Sequence, residues 1–127
     1  MQRFFWICFA GAIGTGARYL VGSWSGSTLG STFPFGTLIV NVVGCFLIAA
    51  IMQLATTMTS FPPTLRLALT TGFLGGFTTY SSFNYETTRM LQDGTSMLAL
   101  VNVLATTIGC FAAGLLGLLI AKQLLGS

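Results

Sequence analysis

The side chains of this sequence that could act on a solute are few, and nearly all are uncharged. Asn41 stands within Gly36-Thr-Leu-Ile-Val-Asn-Val-Val-Gly44, and Tyr80, Ser81, Ser82 and Phe83 form one short run. Asn102 and Thr106 lie one helical turn apart, with Cys110 continuing their line. Amides and hydroxyls offer N–H and O–H donors, and aromatic rings offer positive edges, all of which favour an anion. Any one of these residues, taken alone, reads as an interhelical hydrogen bond worth about 1 kcal/mol or less. The argument for an anion path rests on so many donors occurring among so few charges.

Stripping a small anion of its water costs, in the Born limit, on the order of 20 kcal/mol. Only a dense succession of donors offsets that. A basic side chain inside the path would hold the ion too tightly to release it. The pattern therefore suits rapid passage of a small, strongly hydrated anion, without selecting which one. Arg18, in Gly14-Thr-Gly-Ala-Arg-Tyr19, reads either as a side chain snorkelling to an interface or as the positive wall of a vestibule that draws anions in. Glu86, one turn beyond Phe83, is either a helix-end carboxylate or an acid near a pore mouth.

Other chemistries lack their parts. There is no His, and Glu86 and Asp93 are the only acids, so zinc sites, His-based triads and paired-carboxylate catalysis are excluded. The chain is not expected to be an enzyme. The five bases, Arg3, Arg18, Arg66, Arg89 and Lys122, are spread along the chain and form no patch for nucleic acid. Cys8, Cys45 and Cys110 lie in apolar stretches and read as small hydrophobes rather than a disulfide framework.

The elements that must position these groups are set by composition. Of 127 residues 54% are hydrophobic and only 6% charged, against about 25% charged in a soluble domain. The sequence predicts an all-α membrane protein, one domain over 1–127, with four spans at about 4–21, 36–56, 66–89 and 96–121. The N-terminal stretch resembles a signal peptide but is read as the first span. In the third span nine of the thirteen residues from Thr70 to Ser82 are Gly, Thr or Ser, and Gly75-Gly76 favours a break there. Broken backbone at that depth is tolerated only in protein or lining a cavity; a Gly-rich packing surface is the competing reading. Arg3, Arg66 and Lys122 fall on the side of both termini and Arg18 and Arg89 on the other. That near balance is compatible with one weakly set orientation or with insertion both ways and antiparallel pairing.

Taken together, residues 14–19, 36–44 and the run Gly72-Phe-Leu-Gly-Gly-Phe-Thr-Thr-Tyr-Ser-Ser-Phe83 resemble the small bacterial fluoride channels called Fluc, or CrcB, along essentially the whole chain. The resemblance implies a dual-topology, antiparallel homodimer in the bacterial cytoplasmic (inner) membrane, with two fluoride pores that drain fluoride from the cell. It implies a structural sodium ion at the dimer interface, held by backbone carbonyls matching Gly75 and Thr78. It assigns Asn41, Phe83, Ser81, Ser82, Thr106 and Asn102 to the fluoride pathway and Arg18 to the vestibule. Tyr80 departs from the family pattern, which has phenylalanine there; its added hydroxyl is expected to slow fluoride.

Two other readings compete. A small dual-topology coupled exporter needs an intramembrane carboxylate, and the first span has none. A helical packing subunit of a larger complex would suit the small-residue face at Gly109, Ala113 and Gly117.

Overall fold

The structure, a computed structural model, describes residues 1–126, so the last residue of the 1–127 domain lies outside it. Helix α1 (Gln2–Thr28) leads through a turn at Gly30 to α2 (Phe35–Thr57). Helix α3 (63–77) and α4 (Tyr80–Gln92) together make up the segment expected as the third crossing, and α5 (Ser96–Leu125) follows as the last helix. Apolar runs free of internal proline make these helices, because a helix satisfies its own backbone where water is absent. Pro34 precedes α2 and Pro63 opens α3, positions where the missing N–H costs no helical bond. The left-handed Gly126 ends α5. Among the described residues α1, α2 and α5 are each long and apolar enough to cross a membrane.

Helix α1 runs on to Thr28, past the expected limit near Val21. The Ser and Gly residues there are helical, with Ser25 and Ser27 returning their hydroxyls to the carbonyls of Gly22 and Trp24, at 3.0 and 2.9 Å, as serines tolerated inside a helix do. Arg18 therefore stands roughly three turns before the helix end rather than beside it. At the same end of the bundle Arg89 is ion-paired with Asp93 at 3.3 Å.

The third crossing is broken, two residues later than Gly75-Gly76 suggests. Helix α3 starts as Pro63–Leu67, widens into a π-helical stretch over Ala68–Leu74 and ends with Gly75–Phe77. Gly75 is right-handed helical, with φ −62° and ψ −37°. The chain is instead extended at Thr78 (ψ 158°) and Thr79 (φ −155°, ψ 111°) before α4 begins. The glycines serve proximity: a Cβ on Gly76 would run into the Gly11 carbonyl of α1, and one on Gly14 into the Phe73 carbonyl of α3. Backbones so close pack without intervening side chains. Thus α1 lies along α3, α2 packs along α5, and α4 leans on α5. Val40, Leu74 and Phe77 fill the centre, flanked by Ala17, Val21, Leu47, Ile51 and Phe73.

Candidate functional site

The break is held by Asn41 of α2. Its Oδ1 accepts from the Thr79 N–H at 2.8 Å, and its Nδ2 donates to the Thr79 carbonyl at 3.0 Å. Thr79 then caps α4: its Oγ1 accepts from the Ser82 N–H at 3.2 Å and donates to the Ser82 hydroxyl at 3.0 Å. Before the break, the Leu74 carbonyl accepts both the N–H and the hydroxyl of Thr78, each at 2.9 Å. A Cβ on Gly44 would overlap the Thr78 methyl, so α2 presses on the broken segment from the side as well.

These bonds release two carbonyls. In an uninterrupted helix the Thr79 N–H would reach the Gly75 carbonyl and the Ser82 N–H would reach that of Thr78. Both donors are engaged elsewhere, with Asn41 and with the Thr79 hydroxyl. The carbonyls of Gly75 and Thr78 thereby lose those helical donors, and backbone oxygens in broken helices are of the kind that suits a hard cation. On the other side of the break, the N–H groups of Tyr80 and Ser81 open α4 with no preceding turn of that helix to bond to.

Five of the seven expected pathway residues divide between two cavities, with Thr79 facing both. The larger, about 760 Å³, is lined by Asn41, Tyr80, Phe83 and Thr106 together with Gly75 and Thr78. The Tyr80 and Phe83 rings are 5.5 Å apart at 59°; Phe83 is buried, whereas Tyr80 is 79% exposed on the single chain. The smaller, about 290 Å³, brings Arg18 and Ser82 together beside Thr15 and Thr37. Ser81 is exposed and lines neither cavity; its hydroxyl lies 3.3 Å from that of Thr79.

Asn102 lies behind the pathway, 1% exposed. Its Nδ2 donates to the Thr87 hydroxyl at 2.9 Å, and that hydroxyl donates to the Phe83 carbonyl at 2.7 Å. The Thr106 hydroxyl approaches Asn102 Oδ1 at only 3.5 Å, the outer limit of a hydrogen bond, so its proton is easily redirected to the cavity. Glu86 sits inside α4, half-buried, and accepts from the Thr37 hydroxyl at 2.7 Å. Its other oxygen is buried and has no partner among the described residues. Glu86 lines a third cavity, of about 470 Å³, that adjoins the Arg18 cavity at Gly22, Gly36 and Thr37.

Sequence reasoning passed over Thr37, Thr79 and Thr87. Each carried a signal: Thr37 is one turn before Asn41, Thr87 one turn after Phe83, and Thr79 is a hydroxyl directly before a helical start.

Residues 5–118 match the family described as CrcB-like protein, Camphor Resistance (CrcB). The fluoride-specific ion channel FluC of Sorangium cellulosum (strain So ce56) is 48% identical over 125 residues, 98% of each chain. That of Geobacter metallireducens is 50% identical over 118 residues, 93% of this chain and 95% of its own. That of Anaeromyxobacter dehalogenans is 47% identical over 126 residues, 99% of this chain and 100% of its own. A family pattern matched along most of the chain, and relatives this similar end to end, make this chain a member of the CrcB-like family.

Proposed function

We propose that the chain is a passive, fluoride-selective channel that exports fluoride across a bacterial cytoplasmic membrane. In this reading it works as an antiparallel pair of identical copies with two pores and a shared structural sodium ion. The observation that carries the fluoride reading is the ring of uncharged donors around the broken peptide, in a chain whose relatives are named fluoride-specific ion channels.

The two half-helices meet end to end at the break. Helix α3 arrives with its negative, carbonyl end and α4 departs with its positive, N–H end. An anion is favoured beside the start of α4, and a cation beside the Gly75 and Thr78 carbonyls. Fluoride is drawn in at Arg18, where the Ser82 hydroxyl proton is free because its oxygen is the acceptor from Thr79. It then meets the second Nδ2 hydrogen of Asn41, the first being held by the Thr79 carbonyl. Beyond lie the ring edges of Tyr80 and Phe83 and the hydroxyl of Thr106. No full positive charge lines the larger cavity, so each contact is weak enough for the ion to leave.

Pairing is supported by polar exposure at the break. Tyr80 and Ser81 are exposed on one chain, where lipid offers no partner to the Tyr80 phenol. A second, inverted copy would cover them and bring a second pair of carbonyls to the sodium ion. The passive character follows from the solute: fluoride enters cells as its neutral acid, dissociates and is trapped, so a selective pore suffices.

The test is ion efflux from liposomes holding only the purified protein, loaded with potassium fluoride or potassium chloride, with valinomycin carrying the balancing charge. Fast fluoride loss with negligible chloride loss is expected. Equal loss of both anions, or no fluoride loss from folded protein carrying either Tyr80 or Phe at that position, overturns the reading.

A further inference from the structure

Cys45 and Cys110 take no part in the pathway above, yet they meet where α2 crosses α5. The register of the two helices fixes the encounter: a Cβ on Gly109 would lie 3.3 Å from Val42 Cγ2, and one on Gly114 would lie 3.7 Å from the Cys45 carbonyl. Cys110 falls between those two contacts, on the stretch of α5 that faces Cys45 across the shared cavity wall. Both cysteines are free and partly accessible. Both line the 760 Å³ cavity and also a second one of about 550 Å³ further along the same helices. Cys45 is one turn beyond Asn41 and Cys110 one turn beyond Thr106, so the thiols extend the same lining.

We propose that Cys45 and Cys110 form a two-coordinate thiolate site for a soft, closed-shell cation of the copper(I), silver(I) or mercury(II) class. Each thiol gives its proton to solvent, each sulfur forms one bond to the metal, and two protons are released per ion bound. Thiolate ligands select soft metals. A tetrahedral ion such as zinc requires more ligands than this, and no group of three or more His, Cys, Asp or Glu converges among the described residues. Two sulfurs on facing helices match the ligand count that closed-shell soft cations accept. The bound ion lies in the cavity that Asn41 and Thr106 line, so its binding obstructs that cavity.

The experiment is calorimetric titration of silver nitrate, without chloride, into the purified full-length C8S protein, which removes the exposed Cys8 thiol. One silver ion per chain is expected, with affinity falling at least a hundredfold in C45S, C45A or C110S made singly, each first shown to be folded by gel filtration. X-ray absorption of the silver complex is expected to give two sulfur neighbours. Unchanged affinity in the folded single variants, a single sulfur neighbour, or no binding to folded C8S protein overturns the proposal. Binding is read without flux, so the result stands apart from the fluoride reading.

Discussion

Asn41 grips the Thr79 peptide on both sides, taking its N–H at 2.8 Å and giving to its carbonyl at 3.0 Å. One side chain of α2 thereby supplies what a missing helical turn would have supplied to the third crossing. Removing it leaves the Thr79 N–H and carbonyl without the partner that holds them in place. Asn41→Ala is expected to lower stability by about 1–3 kcal/mol per group left bare and to reduce fluoride efflux at least tenfold. Asn41→Asp restores an acceptor for the N–H but sets a carboxylate against the Thr79 carbonyl and the path, so efflux is lost in it too. Thermal unfolding in detergent, with efflux from liposomes, checks both; wild-type behaviour of Asn41→Ala contradicts the clamp.

The contact of Gly44 with Thr78 predicts a rescue. Gly44→Ala forces a methyl into the Thr78 methyl, an overpacking cost of about 1–3 kcal/mol. Adding Thr78→Ser removes that methyl and keeps the hydroxyl bond to the Leu74 carbonyl. The double variant is expected to recover most of the lost stability and efflux. Additive losses would mean the two residues act independently.

Tyr80 carries a hydroxyl at the wall of the larger cavity. If that hydroxyl donates to passing fluoride, one charge-assisted hydrogen bond of about 1.5–3 kcal/mol retards release about ten- to hundredfold. Tyr80→Phe is therefore expected to speed efflux by that factor. Equal or slower efflux in the variant removes Tyr80 as a brake.

Asn102 and Thr106 are expected to separate stability from flux. Asn102 is buried and bonded to Thr87, so Asn102→Ala should destabilise by about 1–3 kcal/mol. Thr106 lines the cavity with a loosely held hydroxyl, so Thr106→Val should slow efflux several-fold while leaving the unfolding temperature nearly unchanged. The opposite pattern in the two variants would place Asn102, not Thr106, against the ion.

Replacing sodium by N-methylglucamine throughout purification is expected to weaken pairing and to stop fluoride efflux, with recovery on adding sodium back. Chemical crosslinking and efflux are the measurements. Undiminished pairing and flux without sodium would show that the freed carbonyls of Gly75 and Thr78 need no cation.

Much of this arrangement is legible in the amino-acid sequence. The long apolar runs gave α1, α2 and α5, because length and hydropathy alone decide such helices. The density of Gly, Thr and Ser between Thr70 and Ser82 marked the third crossing as irregular. The position of the break was not legible, because glycine permits a break but does not impose one; here Gly76 is recruited to let α1 approach, and Asn41 decides where the backbone opens. Arg18 was misplaced at a helix end because Ser25 and Ser27 look like loop residues until their hydroxyls are seen to bond within the helix. The depth of Asn102 was hidden for a related reason: its turn-by-turn spacing with Thr106 gives a shared face, not which of the two stands in front.

Thr79 faces the cavity of Arg18 on one side and that of Asn41 on the other. Where water reaches in from both directions, the transmembrane voltage falls mainly across the thin layer that remains. An elementary charge crossing the full drop gains about 2.3 kcal/mol per 100 mV. Much of that electrical work would be done within a residue or two of one threonine. The segment there is fixed by Asn41, by Gly44 and by its own cap, so the place of steepest field is also among the most tightly braced in the chain.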